Sequence, residues 1–357
     1  MTTPVSANPR DPALLVEGPW LRRTLAGSRR RRLGTLLFVT VLVCAGLAEL
    51  VCQLYWRVVH EQLRVMREEP TYCYEASDNP ILGYALRRNF EVTSKGARLH
   101  LNRHGIREDS DELFADRTRV ALLGDSVLFG MGMENVSQEN TIPAIVQRKL
   151  DAAGKRVKVL SFAVPGYGLP ELPELLRTMS AVYKPSRVVY VMNPNDFSLR
   201  NTRYEGSDSG LYRMYHPPTI KAPWFVRKLI YRQHKGADGI LPTVSWYRWT
   251  FEGTRDDDLP RLLEMKRFAE QSGASFGVTL LAVGAAYQGA PPHRRYELAD
   301  VNQAVRDYCA QQQIPFADQI SLFATAEDAW DMTDHPTPAG SNLLADLLIE
   351  RFLSDVQ

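Results

Sequence analysis

The stretch Val120-Ala-Leu-Leu-Gly-Asp-Ser-Val-Leu-Phe-Gly-Met-Gly132 decides how the chain is read. Val120 to Leu123 is a four-residue apolar run without polar alternation. Such a run suits a strand buried on both faces, as in parallel sheets. It stops at Gly124-Asp125-Ser126, so a serine stands just past the strand's carboxyl end. In open parallel sheets, sites form at that end. Asp125 is read as a cap of the turn, the ordinary role of Asp there.

The same rhythm recurs outward from this stretch. Residues 141–153 carry Ile142, Ile145, Val146 and Leu150 at helical spacing, closed by Gly154. Further strands are expected at 157–163, 188–192, 275–283 and 314–317, with helices at 169–183, 259–271, 296–312 and 339–353. Alternating strands and helices predict a three-layer α/β/α sandwich around a mostly parallel five-stranded sheet. Residues 197–255 break the rhythm with Tyr, Trp and Pro, and read as an insertion of about that span. An ordinary packed subdomain is the first reading of it. A lid or a membrane-surface element is the alternative, because Trp224, Phe225, Leu229 and Ile230 share a segment with Arg227, Lys228 and Arg232.

Upstream, Leu33 to Ala48 (LGTLLFVTVLVCAGLA) carries no charge, and the apolar run continues to Trp56. Residues 33–56 form about 36 Å of helix, longer than the roughly 30 Å hydrocarbon core of a bilayer. They are therefore expected to be a single-pass anchor in the cell membrane. Glu49 falls near the far interface, and Tyr55, Trp56 and Arg57 make an interfacial belt. Arg29 to Arg32 precede the span, which puts the N-terminus in the cytoplasm and the body outside it. A cleaved signal peptide is the competitor, since Gly46-Leu47-Ala48 passes as a cleavage site. The apolar run continues past that site and favours a retained anchor. Residues 1–32 read as a disordered cytosolic tail. Residues 58–70 read as a helical stalk ending at Pro70, within a stalk and N-terminal extension spanning 57–117.

The chain of 357 residues is 45% hydrophobic and 24% charged, enough for a core and too apolar for wholesale disorder. The net charge is +2, but residues 1–32 hold seven Arg against Asp11 and Glu17, which leaves −3 on the other 325 residues. A mildly acidic body argues against a nucleic-acid footprint, which would need basic charge on the folded part. Cys44 and Cys52 lie in the apolar span. Cys73 and Cys309 stay open between one disulfide and two thiols.

The residues that follow the strands carry the chemistry. Gly166, in Val164-Pro-Gly-Tyr-Gly168, lets backbone N–H approach a substrate. Asn195, in Asn193-Pro-Asn-Asp196, offers an amide to a developing oxyanion. His335, in Asp331-Met-Thr-Asp-His-Pro336, is the candidate general base for Ser126. The other histidines lack motif partners and are read as surface or structural. No HExxH and no Walker A loop occurs, and Asn135 and Glu171 spoil the two near-matches to GxGxxG. No metal or cofactor is expected.

Ser126, Gly166, Asn195 and His335, in this order and each after its expected element, resemble the SGNH (GDSL-type) hydrolase superfamily over about residues 118–353. Four blocks in register are more specific than any one of them. Gly130, Gly132, the VPGYG wording and Leu101-Asn-Arg-His-Gly-Ile-Arg107 look like the branch associated with envelope polysaccharides. The resemblance implies a flavodoxin-like SGNH catalytic domain over 118–357. It implies Ser126 as nucleophile, His335 as base, and an oxyanion hole from the Ser126 and Gly166 N–H groups and the Asn195 side chain.

The family's carboxylate lies three residues before the His, where this chain has Met332. Asp331 is the choice for the orienting acid, with Asp334 or a Ser–His dyad as alternatives. Asn193 stands where the family commonly has Gly. The function implied is a serine esterase or O-acyltransferase acting on acyl groups, acetyl foremost, of envelope carbohydrate or a small ester. A non-catalytic carbohydrate-binding or assembly factor and a lipid esterase are the alternatives.

Overall fold

The computed structural model describes residues 19–69, 72–94, 96–130, 137–197, 215, 219–226, 229, 244–290, 293–326, 328–330 and 335–356. The chain divides into two units, Met1–Trp56 and Arg57–Gln357.

One helix, α1 (Pro19–Glu68), runs through the arginine cluster, the apolar span and the expected stalk. The disorder expected for residues 1–32 therefore does not extend past Pro19, and residues 1–18 lie outside the described residues. Adding a residue to a helix already nucleated costs far less than starting one, and the Leu, Ala and Arg of this stretch are good helix formers. The helix ends two residues before Pro70, which disfavours helical backbone at the residue preceding it. Residues 31–58 are long and apolar enough to cross a membrane. Within them Glu49 accepts a hydrogen bond from Gln53 Nε2 at 2.5 Å, one turn along the helix.

The extension ahead of the sheet forms two antiparallel hairpins. One joins β1 (Tyr74–Ala76) to β2 (Tyr84–Leu86), the other β3 (Phe90–Ser94) to β4 (Ala97–Leu101). Tyr72, Tyr74, Tyr84, Leu101 and Ile106 are buried in the same apolar core as the sheet. The extension is thus part of the packed body, and the core runs across the boundary expected at residue 118.

The central sheet holds β5 (Thr118–Gly124), β6 (Val157–Ala163), β7 (Arg187–Met192), β8 (Ser275–Leu280) and β11 (Phe316–Asp318) in the order β11-β8-β7-β5-β6. Every pairing in it is parallel. The short pair β9 (Tyr287–Gln288) and β10 (Arg295–Tyr296) stands apart from it. Val120, Ala121, Leu122 and Leu123 are wholly buried, as a strand covered on both faces requires.

After β5 come α2 (Ser126–Phe129) and α3 (Ile142–Ala152). After β6 comes α4 (Leu172–Tyr183), after β7 comes α5 (Val244–Gln271), and after β8 comes α6 (Ala299–Gln311). The short α7 (Ile320–Ala324) and the closing α8 (Pro338–Leu348) follow β11. Helices α3 and α8 pack on each other, whereas α4, α5 and α6 pack in a row. Right-handed crossovers in this strand order place those two sets on opposite faces.

The helix expected at 259–271 begins fifteen residues earlier, at Val244. The C-terminal part of the expected insertion is therefore core helix. Trp246, Thr250, Phe251, Thr254 and Asp258 are buried at helical spacing. Most of residues 197–243 lies outside the described residues. Cys73 and Cys309 are buried unpaired thiols, pushed up by burial to about 11 and about 12.

Candidate active site

The sheet register brings the loops together. Gly124, the last residue of β5, is paired with Ala163 of β6 on one side and Val191 of β7 on the other. The chain therefore leaves three neighbouring strands side by side. Ser126, Gly166 and Asn195 follow within a few residues of those ends. Strand order changes direction here, since β5 connects onward to β6 on one flank while β7 lies on the other. This is the topological switch point where open α/β sheets place their sites.

Ser126 opens α2. Asp125 is its N-cap, accepting from Val127 N at 3.0 Å, as the sequence led one to expect. The Asp125 carboxyl is buried, and burial pushes it above its ordinary range against the pull of the Val127 N–H and of His335. Ser126 Oγ lies 3.3 Å from Asp125 Oδ2 and 3.0 Å from His335 Nε2. One hydroxyl proton thus has two acceptors in reach, and the imidazole is the nearer. With the ring proton on Nδ1, Nε2 accepts that hydrogen bond.

His335 arrives from 209 residues further along the chain. It is held by a short bridge between Trp330 and Pro336 and by Thr337 N donating to Ala329 O at 2.9 Å. Thr337 then caps α8, accepting from Gly340 N at 3.2 Å. Gly340 permits this closeness, because a Cβ there would stand 2.0 Å from Ala329 O. Ser126 and His335 are both partly exposed at the rim of the sheet. Asp331, Met332 and Asp334 lie outside the described residues.

Gly166 sits in a tight turn closed by Tyr167 N donating to Val164 O at 3.1 Å. Its φ is +80°. Positive φ at the third position, after a proline that cannot take positive φ, defines a type II turn. Asn195 stands on a single 3₁₀ turn, Pro194–Asp196. Asn193 caps that turn, its Oδ1 accepting from Asn195 N at 3.3 Å, while Asp196 Oδ2 accepts from Asn193 N at 2.8 Å. The departure from the family's Gly thus supplies a reciprocal cap beneath Asn195. The signal that could have found this part of Asn193 is local: Asn at the cap, Pro194 at the first position and Asp196 at the third.

Asp196 is fully buried. It also accepts from Tyr190 Oη at 2.7 Å, and its carbonyl accepts from Leu169 N at 2.9 Å, which ties the Gly166 loop to the Asn195 turn. Burial, reinforced by the nearby Asp125 carboxylate, raises the Asp196 carboxyl well above its ordinary range.

Four of the five residues expected in the site, Ser126, Gly166, Asn195 and His335, therefore sit at the carboxyl edge of the sheet, and Ser126 and His335 are in hydrogen-bond contact. Solved structures to which the chain is similar include the lipase/acylhydrolase from Enterococcus faecalis, at 18% identity over 67% of this chain and 97% of that one, with a TM-score of 0.41. The psychrotrophic esterase EstA from Pseudoalteromonas sp. matches at 11% identity over 66% and 97%, with a TM-score of 0.40. The acetyl xylan esterase AlAXEase matches at 12% over 66% and 99%, with a TM-score of 0.42. No curated protein matches the chain. The model of the GDSL-like lipase/acylhydrolase family matches residues 122–343, well over half of the chain. With that match, the parallel sheet and the ordered blocks at its edge, the chain belongs to the GDSL-like lipase/acylhydrolase family and is a hydrolase of the SGNH fold.

Proposed function

We propose that this hydrolase is a membrane-anchored serine esterase or O-acyltransferase acting on ester-linked acyl groups, acetyl foremost, of cell-envelope carbohydrate. The observation that carries the mechanism is the 3.0 Å contact between Ser126 Oγ and His335 Nε2. In this reading His335 Nε2 takes the Ser126 proton as Oγ attacks the ester carbonyl. The oxyanion accepts hydrogen bonds from the Ser126 and Gly166 N–H groups and the Asn195 amide. Collapse of the tetrahedral species breaks the bond to the alkoxide, which leaves with the proton from His335. Water, or a sugar hydroxyl in a transferase, then attacks acyl-Ser126 by the same route in reverse. Asp331 is the acid assigned to His335 Nδ1.

Helix α1 supports the anchor, with residues 31–58 long and apolar enough to span a bilayer. Arg29 to Arg32 support a cytoplasmic N-terminus and a catalytic unit on the outer side, where envelope glycans are found. The carbohydrate substrate rests on that placement and on the likeness of the VPGYG and LNRHGIR segments to the polysaccharide-associated branch.

The test uses the full chain in detergent. A fluorophosphonate probe should label Ser126, identified by mass spectrometry, and Ser126→Ala should abolish both labelling and hydrolysis of p-nitrophenyl acetate. Hydrolysis at the same rate by Ser126→Ala would overturn the mechanism. Release of acetate from the host's own acylated polysaccharide, or its transfer onto a sugar hydroxyl, decides between esterase and transferase.

A further inference from the structure

The peptide group that joins Pro165 to Gly166 has a neighbour outside the catalytic blocks. Tyr84, on the N-terminal hairpin, donates its hydroxyl to Pro165 O at 2.9 Å in a buried setting. A Cβ on Gly166 would stand 2.8 Å from that same hydroxyl, so Tyr84 lies directly against the turn. Tyr167, one residue further on, donates back to the Tyr84 carbonyl oxygen, and the two rings meet edge to face at 5.0 Å. Tyr74 adds a second edge contact to Tyr84 at 5.9 Å. The hairpin register, Ala76 opposite Tyr84, fixes the backbone from which the side chain extends.

We propose that Tyr84 is a positioning residue for oxyanion stabilisation, holding the Pro165–Gly166 peptide so that the Gly166 N–H points at the reacting carbonyl. This rests on the acyl-Ser126 reading above.

The argument is one of peptide geometry. In a planar trans peptide the C=O and the N–H point in opposite directions. An anchor on the Pro165 oxygen therefore directs the Gly166 N–H away from Tyr84. That peptide is the central one of its turn, and type I and type II turns differ by a flip of this group. Proline at the second position accepts either form, and glycine at the third resists neither. The turn's own residues leave the orientation weakly determined, and the Tyr84 hydroxyl supplies the missing constraint. Donation to the carbonyl also polarises the amide, which strengthens its N–H as a donor. The N-terminal extension is then a working part of the site.

Tyr84→Phe in the full-length protein removes one oxygen and keeps the ring. Active sites are counted by fluorophosphonate titration, and kcat, KM and inhibition by an alkylboronic acid are measured per titrated site. A boronate adduct on Ser126 places an oxygen where the oxyanion forms. The expected result is a kcat lower by about 10- to 100-fold, short of losing a whole donor. KM stays within about twofold, and the boronate inhibition constant rises in step with the fall in kcat.

A matched pair, Tyr84→4-aminophenylalanine and Tyr84→4-methylphenylalanine, repeats the comparison if the Phe variant does not fold. The amino form keeps a donor and should retain most of kcat, while the methyl form should not. A wild-type kcat per titrated site in Tyr84→Phe, or equal kcat in the matched pair, would overturn the proposal. If Ser126→Ala is inactive while Tyr84→Phe equals the wild type, the positioning role alone is lost. If Ser126→Ala keeps full activity, the acyl-Ser126 reading falls and this inference with it.

Discussion

Replacing Gly166 with Ala sets two costs against each other. At φ +80° an L side chain pays about 1–2 kcal/mol, because Cβ crowds the following carbonyl. The new methyl would also stand 2.8 Å from Tyr84 Oη, closer than real Cβ contacts come. Moving Tyr84 aside gives up its bond to Pro165 O, about 0.5–1.5 kcal/mol. If the turn keeps its shape, Gly166→Ala destabilises by about 2–3 kcal/mol. A larger unit shifts less per kcal/mol, so the fall in Tm is roughly 4–6 °C.

The turn has a second way out. Flipping its central peptide to type I gives Ala a comfortable φ near −90°. The φ strain is then relieved while the Tyr84 bond to Pro165 O is still lost, and the N–H leaves the oxyanion position. Losing one such donor lowers kcat about 10²–10³-fold. Either route lowers kcat, since the first route takes from the peptide the Tyr84 hydrogen bond that orients it. Thermal unfolding together with kcat per titrated site on p-nitrophenyl acetate reads both quantities. An Ala variant with wild-type kcat would refute the assignment of Gly166 to the oxyanion, whatever its Tm.

Gly340→Ala should act on the other arm of the site. A methyl there meets Ala329 O, and the clash is with backbone, so α8 and its cap Thr337 must part from Ala329, which strains the Thr337 N–Ala329 O bond and the Trp330–Pro336 bridge. Overpacking of this kind costs about 1–3 kcal/mol, and a shift of His335 by about 1 Å costs about 100-fold in kcat; full kcat in this variant would contradict the placement. Asp196→Asn tests the buried carboxyl. Its pKa is raised in the folded state, so its contribution to stability is full below the ordinary carboxylate range and fades as pH rises through the raised value. The wild type's stability relative to Asp196→Asn should therefore fall from about pH 4 upward, as read by denaturant unfolding at a series of pH values. A relative stability that grows with pH would refute it.

Much of the fold is written in local pattern. Val120 to Leu123, buried at every position, was recognisable as a central strand because an uninterrupted apolar run has no face to give to water. The strands 157–163 and 187–192 and the helix 142–152 lie within a residue of where periodicity puts them. Residues 244–255 were misjudged. Their Trp, Tyr and Arg suggested an insertion, although Trp246, Thr250, Phe251 and Thr254 already stand at helical spacing. A weakly amphipathic helix rich in aromatic and charged residues blurs that signal. The tail was misjudged for a different reason. A basic run with few apolar residues looks disordered alone, but it continues as helix once a long neighbouring helix has been nucleated.

From the sequence alone came the order of the blocks, the serine past a strand end, and the glycine and asparagine that follow the next two strands. These are local facts, because turn chemistry and strand burial depend on a few adjacent residues. The tertiary structure alone decided that Ser126 and His335 lie 3.0 Å apart and that Tyr84 holds the peptide ahead of Gly166. Contacts between residues 81 or 209 positions apart have no periodicity to betray them. They exist only once the sheet has set three strand ends side by side and the hairpin and the closing helix have packed against them.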